Sequence, residues 1–337
     1  MTIRLHTAGY SDIKVDGQSI RTIVCEEKYS DSTIRNLYIS AGGEEIRFEY
    51  PSASLVYTLA SKDFALSPLP KNLGDADIAY ATSIQTQRIP DKRIDHVEDL
   101  AEMRVLFESF DLSTAPSDES QTVVKGDLAF GSEHAPGSPY ASINPWSVDI
   151  HPPQIADSVP ETIADAVKGQ ERWTKPDTFV PSDDPKMKAL AANMVAKEKT
   201  VVGAVLAIKN YVGHLMRPKA ELGLARNALQ ILHDRTGTCS DYTILTLTLL
   251  RAAGIASRAV SGLVTWDSRA SELFMHGWAE AWDGQRWIGV DATDRHAQLS
   301  ACHIKLWEGD MESRLDYQMG DISNARATIY YTQAHKR

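Results

Sequence analysis

The chain has 337 residues, 43% of them hydrophobic, and a formal net charge of −10. That apolar share can bury two ordinary cores and excludes a disordered chain, while the acidic balance argues against a nucleic-acid partner, which calls for a clustered basic surface. Three cysteines, Cys25, Cys239 and Cys302, are an odd and widely spaced set. They fit neither a disulfide framework nor a four-ligand zinc site, so no metal and no cofactor is expected and a reducing compartment is the simpler setting.

Residues 1–7 lack the apolar core of a signal peptide, and no run approaches the roughly 20 residues of a spanning helix, so the expectation is a cytoplasmic protein with no membrane partner. The first 110 or so residues read as strands. Residues 37–40 and 44–50 flank Gly42-Gly43, and a two-residue turn there would pair Ile39 with Ile46 and Leu37 with Phe48. Further strand-like runs at 55–59 and 103–107 make an antiparallel β domain, a sandwich or small barrel, the natural product. From Ser113 to Gln154 the composition turns to Ser, Pro, Gly and Asp, including the run His134 to Pro139, which places the domain linkage near its end. The expected division is thus residues 1–154 as a β-rich domain and 155–337 as a second domain.

Helices then follow. Asp183-Asp184-Pro185 supplies caps for a helix with Met187, Leu190, Ala191, Met194 and Val195 at helical spacing, and Thr200 caps another that ends before Pro218. The stretch 243–250 alternates like a strand. Its length with its flanks, the Thr238 start and the Gly254 stop nevertheless favour a helix buried on nearly all sides. Strands are expected at 257–264 and on either side of Asp283-Gly284, read as a two-residue turn. That turn pairs Glu280 with Trp287, Trp278 with Gly289 and His276 with Asp291, which puts an imidazole beside a carboxylate on one face.

With Thr238 as N-cap, Cys239 sits at the first helical position, where unpaired backbone N–H groups and a neighbouring imidazolium favour a thiolate. Thirty-seven residues later comes His276, a candidate base, and fifteen after that Asp291, which would orient it. The Cys239 backbone N–H is a candidate oxyanion donor. Asp241, two residues from the thiol, would oppose the thiolate and is assigned to capping Thr238.

These residues resemble the transglutaminase-like superfamily of Cys-His-Asp enzymes. The resemblance is carried by Gly237-Thr238-Cys239-Ser240-Asp241-Tyr242, by residues 249–262, by His276-Gly277-Trp278-Ala279-Glu280 and by Val290-Asp291-Ala292-Thr293, over roughly residues 185–293. Gly277 and Ala292 depart from the residues usual there, alanine and proline. The resemblance implies an α+β, papain-like core in which the cysteine helix packs on an antiparallel sheet, and acyl transfer through a thioester. The acceptor may in principle be water, giving peptidase or amidase action on a peptide or amide substrate, or an amine, giving amide synthesis or crosslinking; a non-catalytic binding or scaffold protein that keeps the fold is the remaining alternative.

Other chemistry-bearing residues read more plainly. His233 fits a structural or solvated loop histidine. Adjacent Cys302 and His303, with His296 nearby, are poorly placed to chelate one ion together and read as unrelated to a metal. Trp266, Trp278, Trp282 and Trp287 read as core and sheet packing.

Overall fold

A computed structural model describes residues 3–15, 18–29, 34–50, 55–58, 83–88, 97–126, 145–155, 158, 161–218, 226–265, 272–314 and 325–334. Trp266 and the run 134–139 lie outside them. The chain divides into two compact units, residues 1–72 with 318–321 and residues 73–317 with 322–337.

The first unit is an antiparallel meander of five strands in sequence order: β1 (Ile3–Val15), β2 (Gln18–Tyr29), β3 (Ile34–Ser40), β4 (Glu45–Tyr50) and β5 (Leu55–Thr58). Among the described residues it is one open sheet, rather than a sandwich or barrel. Leu37 pairs with Phe48 as the alternation predicts, but an irregularity between Tyr38 and Ile39 places Ile39 opposite Glu45 instead of Ile46. The cause is the turn. Ser40 N–H reaches Glu44 O and Gly43 N–H returns to Ser40 O, so the loop is longer than two residues.

In the second unit, a nine-stranded sheet carries a layer of helices. Its remaining strands are β6 (Ser83–Arg88), β7 (Leu100–Glu108), β8 (Gln121–Lys125), β9 (Trp146–Ile150), β12 (Ser257–Val264), β13 (Glu272–Trp282), β14 (Trp287–Val290), β15 (His303–Gly309) and β16 (Arg326–Ala334); β10 (Arg217–Pro218) and β11 (Thr236–Gly237) form a separate two-stranded bridge. The order is β15-β12-β13-β6-β16-β7-β9-β8, with β14 also on β13, and only β6 and β16 run parallel. Residues 97–126 and 145–150, assigned from sequence to the N-terminal β domain, therefore belong with the second sheet. Val105, for example, pairs with both Ile329 and Val148. Composition marks residues as strand but leaves the choice of partner to long-range pairing.

The helices are α1 (Ile163–Ala166), α2 (Pro185–Val195), α3 (Val201–Leu215), α4 (Ala228–Asp234), α5 (Cys239–Ala252) and α6 (Met311–Arg314). Asp184 caps α2 through Lys186 N–H and Met187 N–H, and Thr200 caps α3 through Gly203 N–H. Helix α5 packs against α2, α3 and α4 and against β12 and β13, so every residue from Tyr242 to Arg251 is buried. A threonine in a buried helix is costly unless its hydroxyl finds a partner, and Thr246 Oγ1 is buried without one among the described residues. Thr243 donates to Cys239 O and Thr248 to Ile244 O, both at 2.8 Å. Gly254, at φ 83°, ends the helix in the left-handed region.

Even-numbered residues of β12 and β13 share one face of the sheet, while Ala259, Ala279 and Ala281 face the helical core. On the first face Arg258, Glu280, Lys305, Glu308 and Asp118 form a charge cluster. Lys305 Nζ lies 2.6 Å from Glu280 and 2.6 Å from Asp118; Arg258 reaches Glu280 at 2.7 Å and Glu308 at 2.5 Å, and its guanidinium stands over the Trp287 ring at 4.2 Å. Gln121 adds a hydrogen bond to Lys305 O at 2.7 Å. Part of the Ser113–Gln154 stretch read as linkage thus closes over the sheet.

At the centre of β12 is Gly262, paired with His276 on one side and Lys305 on the other. A Cβ at this position would collide with Ile304 O and lie 2.7 Å from Trp278 Cη2. Because backbone is in the way, the strand pair itself must move. Gly262→Ala should lower stability by about 1–3 kcal/mol, measured as a lower midpoint of urea unfolding followed by tryptophan fluorescence; an unchanged midpoint would show that the strands give way freely.

Candidate active site

Cys239 opens α5, as the capping pattern predicts, and is half-buried. Asp241 turns back onto the cap, accepting from Thr238 N–H at 2.8 Å and from the Thr238 hydroxyl at 3.3 Å. Its charge is met by Arg226, 3.0 Å away, a residue that sequence reasoning passed over. Arg226 also holds Asp234 at 2.8 Å and donates to Thr236 O at 2.8 Å, so one guanidinium fixes the turn leading into Cys239 and offsets the carboxylate nearest the thiol. Beside this turn a cavity of about 440 Å³ is lined by His214, Leu215, Arg217, Asp234, Arg235 and Thr236.

His276 and Asp291 meet, though by a different register from the one expected. The loop is the four residues 283–286: Asp283 N–H donates to Arg286 O, and Asp283 Oδ1 accepts from Gln285 N–H and Arg286 N–H. This side-chain capping of the loop replaces the two-residue turn. Pairing is displaced by two, with Glu280 opposite Gly289 and Trp282 opposite Trp287. Continued one step past β14, the register sets Asp291 against Trp278, diagonal to His276 on the same face. An even displacement keeps the face, whereas an odd one would have turned Asp291 away.

His276 Nε2–H donates to Asp291 Oδ2 at 2.8 Å, and both residues are 3% exposed. The Cys239 side chain hydrogen-bonds His276 as well, which leaves ring atom Nδ1 for the sulfur. Burial alone would depress the imidazole. The Asp291 carboxylate and the Cys239 sulfur outweigh it and lift His276 to about 9. Asp291 is raised by burial but held well below the usual carboxylate range by the two histidines facing it.

The second histidine is His303, whose Nε2 lies 3.3 Å from Asp291 Oδ2. Sequence reasoning weighed Cys302-His303 only as metal ligands; in the fold the pair borders the site, and His303 rather than Cys302 reaches it. The clue was Gly262, a glycine in mid-strand, which signals a close approach by something else. Trp278 fills that space, its ring stacked 6.0 Å from His276 and edge-on at 5.2 Å from His303. Trp282 and Trp287 instead pack together with Trp173, all three half-buried.

Asp291 Oδ1 accepts from Thr293 N–H at 2.8 Å and from the Thr293 hydroxyl at 2.7 Å, so the carboxylate receives four hydrogen bonds. Lys209, buried on α3, donates to Asp294 O at 2.6 Å and secures the same turn. One ligand atom each from His276, Asp291 and His303 lies within 4.8 Å of the others, a spacing a cation could bridge. Here each of these atoms is engaged with another of the set, and His296 stands apart on the exposed Asp294 turn.

The arrangement brings a half-exposed thiol, an imidazole and a fully bonded carboxylate into one chain of hydrogen bonds. Comparison with known proteins was made on this basis. An uncharacterized protein of Mycobacterium tuberculosis is 26% identical over 169 residues, 47% of this chain and 45% of that protein. One of Mycobacterium leprae is 36% identical over 70 residues, 19% of this chain and 25% of that one. The chain thus spans less than half the length of these curated relatives. Among solved structures, a candidate cysteine protease from Cytophaga hutchinsonii shares 18% identity over 75% of this chain and 86% of its own, with a TM-score of 0.42. The periplasmic domain of TgpA from Pseudomonas aeruginosa shares 18% identity over 57% and 69%, with a TM-score of 0.38. Superposition this loose has no bearing on function. The model of the transglutaminase-like superfamily matches residues 188–292, the segment that holds Cys239, His276 and Asp291, so this part of the chain is a transglutaminase-like domain.

Proposed function

We propose that the chain is a cysteine-dependent enzyme that cleaves an amide or peptide bond through a thioester. The observation that carries this reading is His276, hydrogen-bonded on one side to the Cys239 thiol and on the other to Asp291. The Cys239 sulfur attacks the carbonyl carbon, and the developing oxyanion is met by the backbone N–H of Cys239 at the start of α5. As the C–N bond breaks, imidazolium His276 gives its proton to the departing amine. Water then enters, His276 takes one of its protons, and the C–S bond breaks to release the acid and restore the thiol. Asp291 holds the imidazole and stabilises its charge without taking the proton. No cofactor enters this route. A reducing, cytoplasmic setting belongs to the same proposal and is supported by three free thiols, Cys25, Cys239 and Cys302.

Two measurements test it. Iodoacetamide should modify Cys239 rapidly at neutral or mildly acidic pH, with buried Cys25 and Cys302 spared, and His276→Ala should slow that modification at least tenfold. Slow labelling in both proteins would leave a non-catalytic binding role. Incubation with a peptide mixture, with and without a labelled primary alkylamine, should release free carboxylic acid; incorporation of the amine in preference to water would assign amide formation instead.

A further inference from the structure

Asp291 Oδ2 receives two imidazoles, and only one of them reaches the thiol. The other, His303, comes from β15, two strands from β13 with β12 between. Gly262 makes this possible: without a side chain in the middle strand, Trp278 and both imidazoles approach across it, and the two imidazole centroids are 5.9 Å apart.

The contacts of His303 favour a doubly protonated ring. Nε2 faces Asp291 Oδ2 at 3.3 Å, and Nδ1 faces Ser300 O at 3.2 Å, with Cys302 Sγ at 3.4 Å. The Asp291 carboxylate only accepts, so Nε2 donates; Nδ1 donates to the Ser300 carbonyl in the imidazolium, whereas a neutral ring would accept there from the Cys302 thiol, the weaker donor. We infer that His303 is a positioning residue of the acyl-transfer site, a buried cation that locks Asp291 Oδ2 in place and, by sharing its charge, prevents His276 from holding its proton too tightly to release it. The inference rests on the reading of Cys239 as the nucleophile.

The groups around His303 act in both directions. Burial works against its charge, but Cys302 and Asp291 overcome it and raise the ring to about 10. Trp278 covers it on one side, His276 is the second cation on the same carboxylate, and Lys209 feels the Asp291 charge from α3. A carboxylate facing His276 alone would bind that imidazolium more firmly.

Nitrogen NMR of histidine-labelled whole chain at pH 7 should show both His303 ring nitrogens as N–H, the signals being assigned by their loss in His303→Gln. A neutral tautomer would overturn the inference, and His303→Asn supplies the same assignment should His303→Gln not fold. In His303→Gln and His303→Asn, which keep a donor but lose the charge, the titration midpoint of His276 should rise by roughly one to two pH units. That figure follows from charges 5.9 Å apart at an effective dielectric near 20. The pH at which iodoacetamide reaches Cys239 half-maximally should rise as well. A purely structural role would lower Tm and leave the His276 midpoint in place, which would equally refute the inference. If instead wild-type Cys239 labels slowly and independently of His276, the enzymatic reading fails while the NMR result for His303 stands by itself.

Discussion

In the Cys239→Ala variant, bond cleavage should fall to background, and in His276→Ala kcat should fall by about 10²- to 10⁴-fold, both with a circular dichroism spectrum like that of the parent. Neither change disturbs the frame around the site. Cys239 is the first residue of a helix whose buried positions begin at Tyr242, and the Asp241 cap is anchored independently by Arg226. What is lost is chemistry: a thiol without its imidazole is a weaker nucleophile near neutral pH, and the departing amine has no proton donor. Mass spectrometry of the stalled protein gives the second readout, since a Cys239-linked acyl adduct should form in the parent and never in Cys239→Ala. Residual cleavage in Cys239→Ala above a few per cent of parent would reject the assignment.

Asp291→Asn should be almost as damaging to catalysis, by about 10⁴-fold, and should in addition destabilise the protein. The carboxylate meets donors at both oxygens: two imidazoles at Oδ2, and the Thr293 N–H and hydroxyl at Oδ1. An asparagine amide turns one of these oxygens into an NH₂ group facing donors, whichever way it is flipped. Leaving two buried imidazoles without their counter-charge costs on the order of 3–5 kcal/mol. The pH dependence carries a sign. His276 is lifted from 6.5 to about 9, so its contribution to stability is complete below pH 6.5 and is lost as the pH rises through about 9. Asp291 is depressed from 3.8, so its contribution is complete above that value and is lost as the pH falls toward the depressed one. Stability from this pair is therefore full between about pH 4 and 6.5, and the decline from 6.5 to about 9 should flatten in Asp291→Asn. Urea unfolding at a series of pH values measures it, and an unflattened alkaline decline would mean that another group sets it.

The parts of the site that could be read from sequence are those fixed by local chemistry. Asp184, Thr200 and Thr238 announce helix starts, and Gly254 a stop, because caps and left-handed turns act over a few residues. The union of His276 with Asp291 was legible for the right face but the wrong register: alternation fixes the side of the sheet a residue occupies, whereas the pairing depended on Asp283 gathering two backbone N–H groups of its own loop. His303 was hidden because its neighbour lies two strands away, and nothing local in Cys302-His303 states which strand will stand beside it. The same reason moved the strands at 100–108, 121–125 and 146–150 from the first unit to the second, since their apolar alternation fits either sheet. Arg226 was missed as one more arginine before a short helix, its three partners being brought together only by the fold.

The charge cluster on the site face bears on the conditions under which the candidate site keeps its shape. Glu280 lies four residues beyond His276 on β13 and Lys305 two beyond His303 on β15, and their ion pair ties those two strands beside the imidazoles. Both are 2% exposed. Dissolved ions weaken attractions between charges that water reaches, such as Arg21 with Asp12, and act far less on pairs sealed away from it. The spacing between the two rings should consequently persist from dilute buffer to strong brine, and the catalytic geometry should tolerate changes of ionic strength that loosen the outer surface.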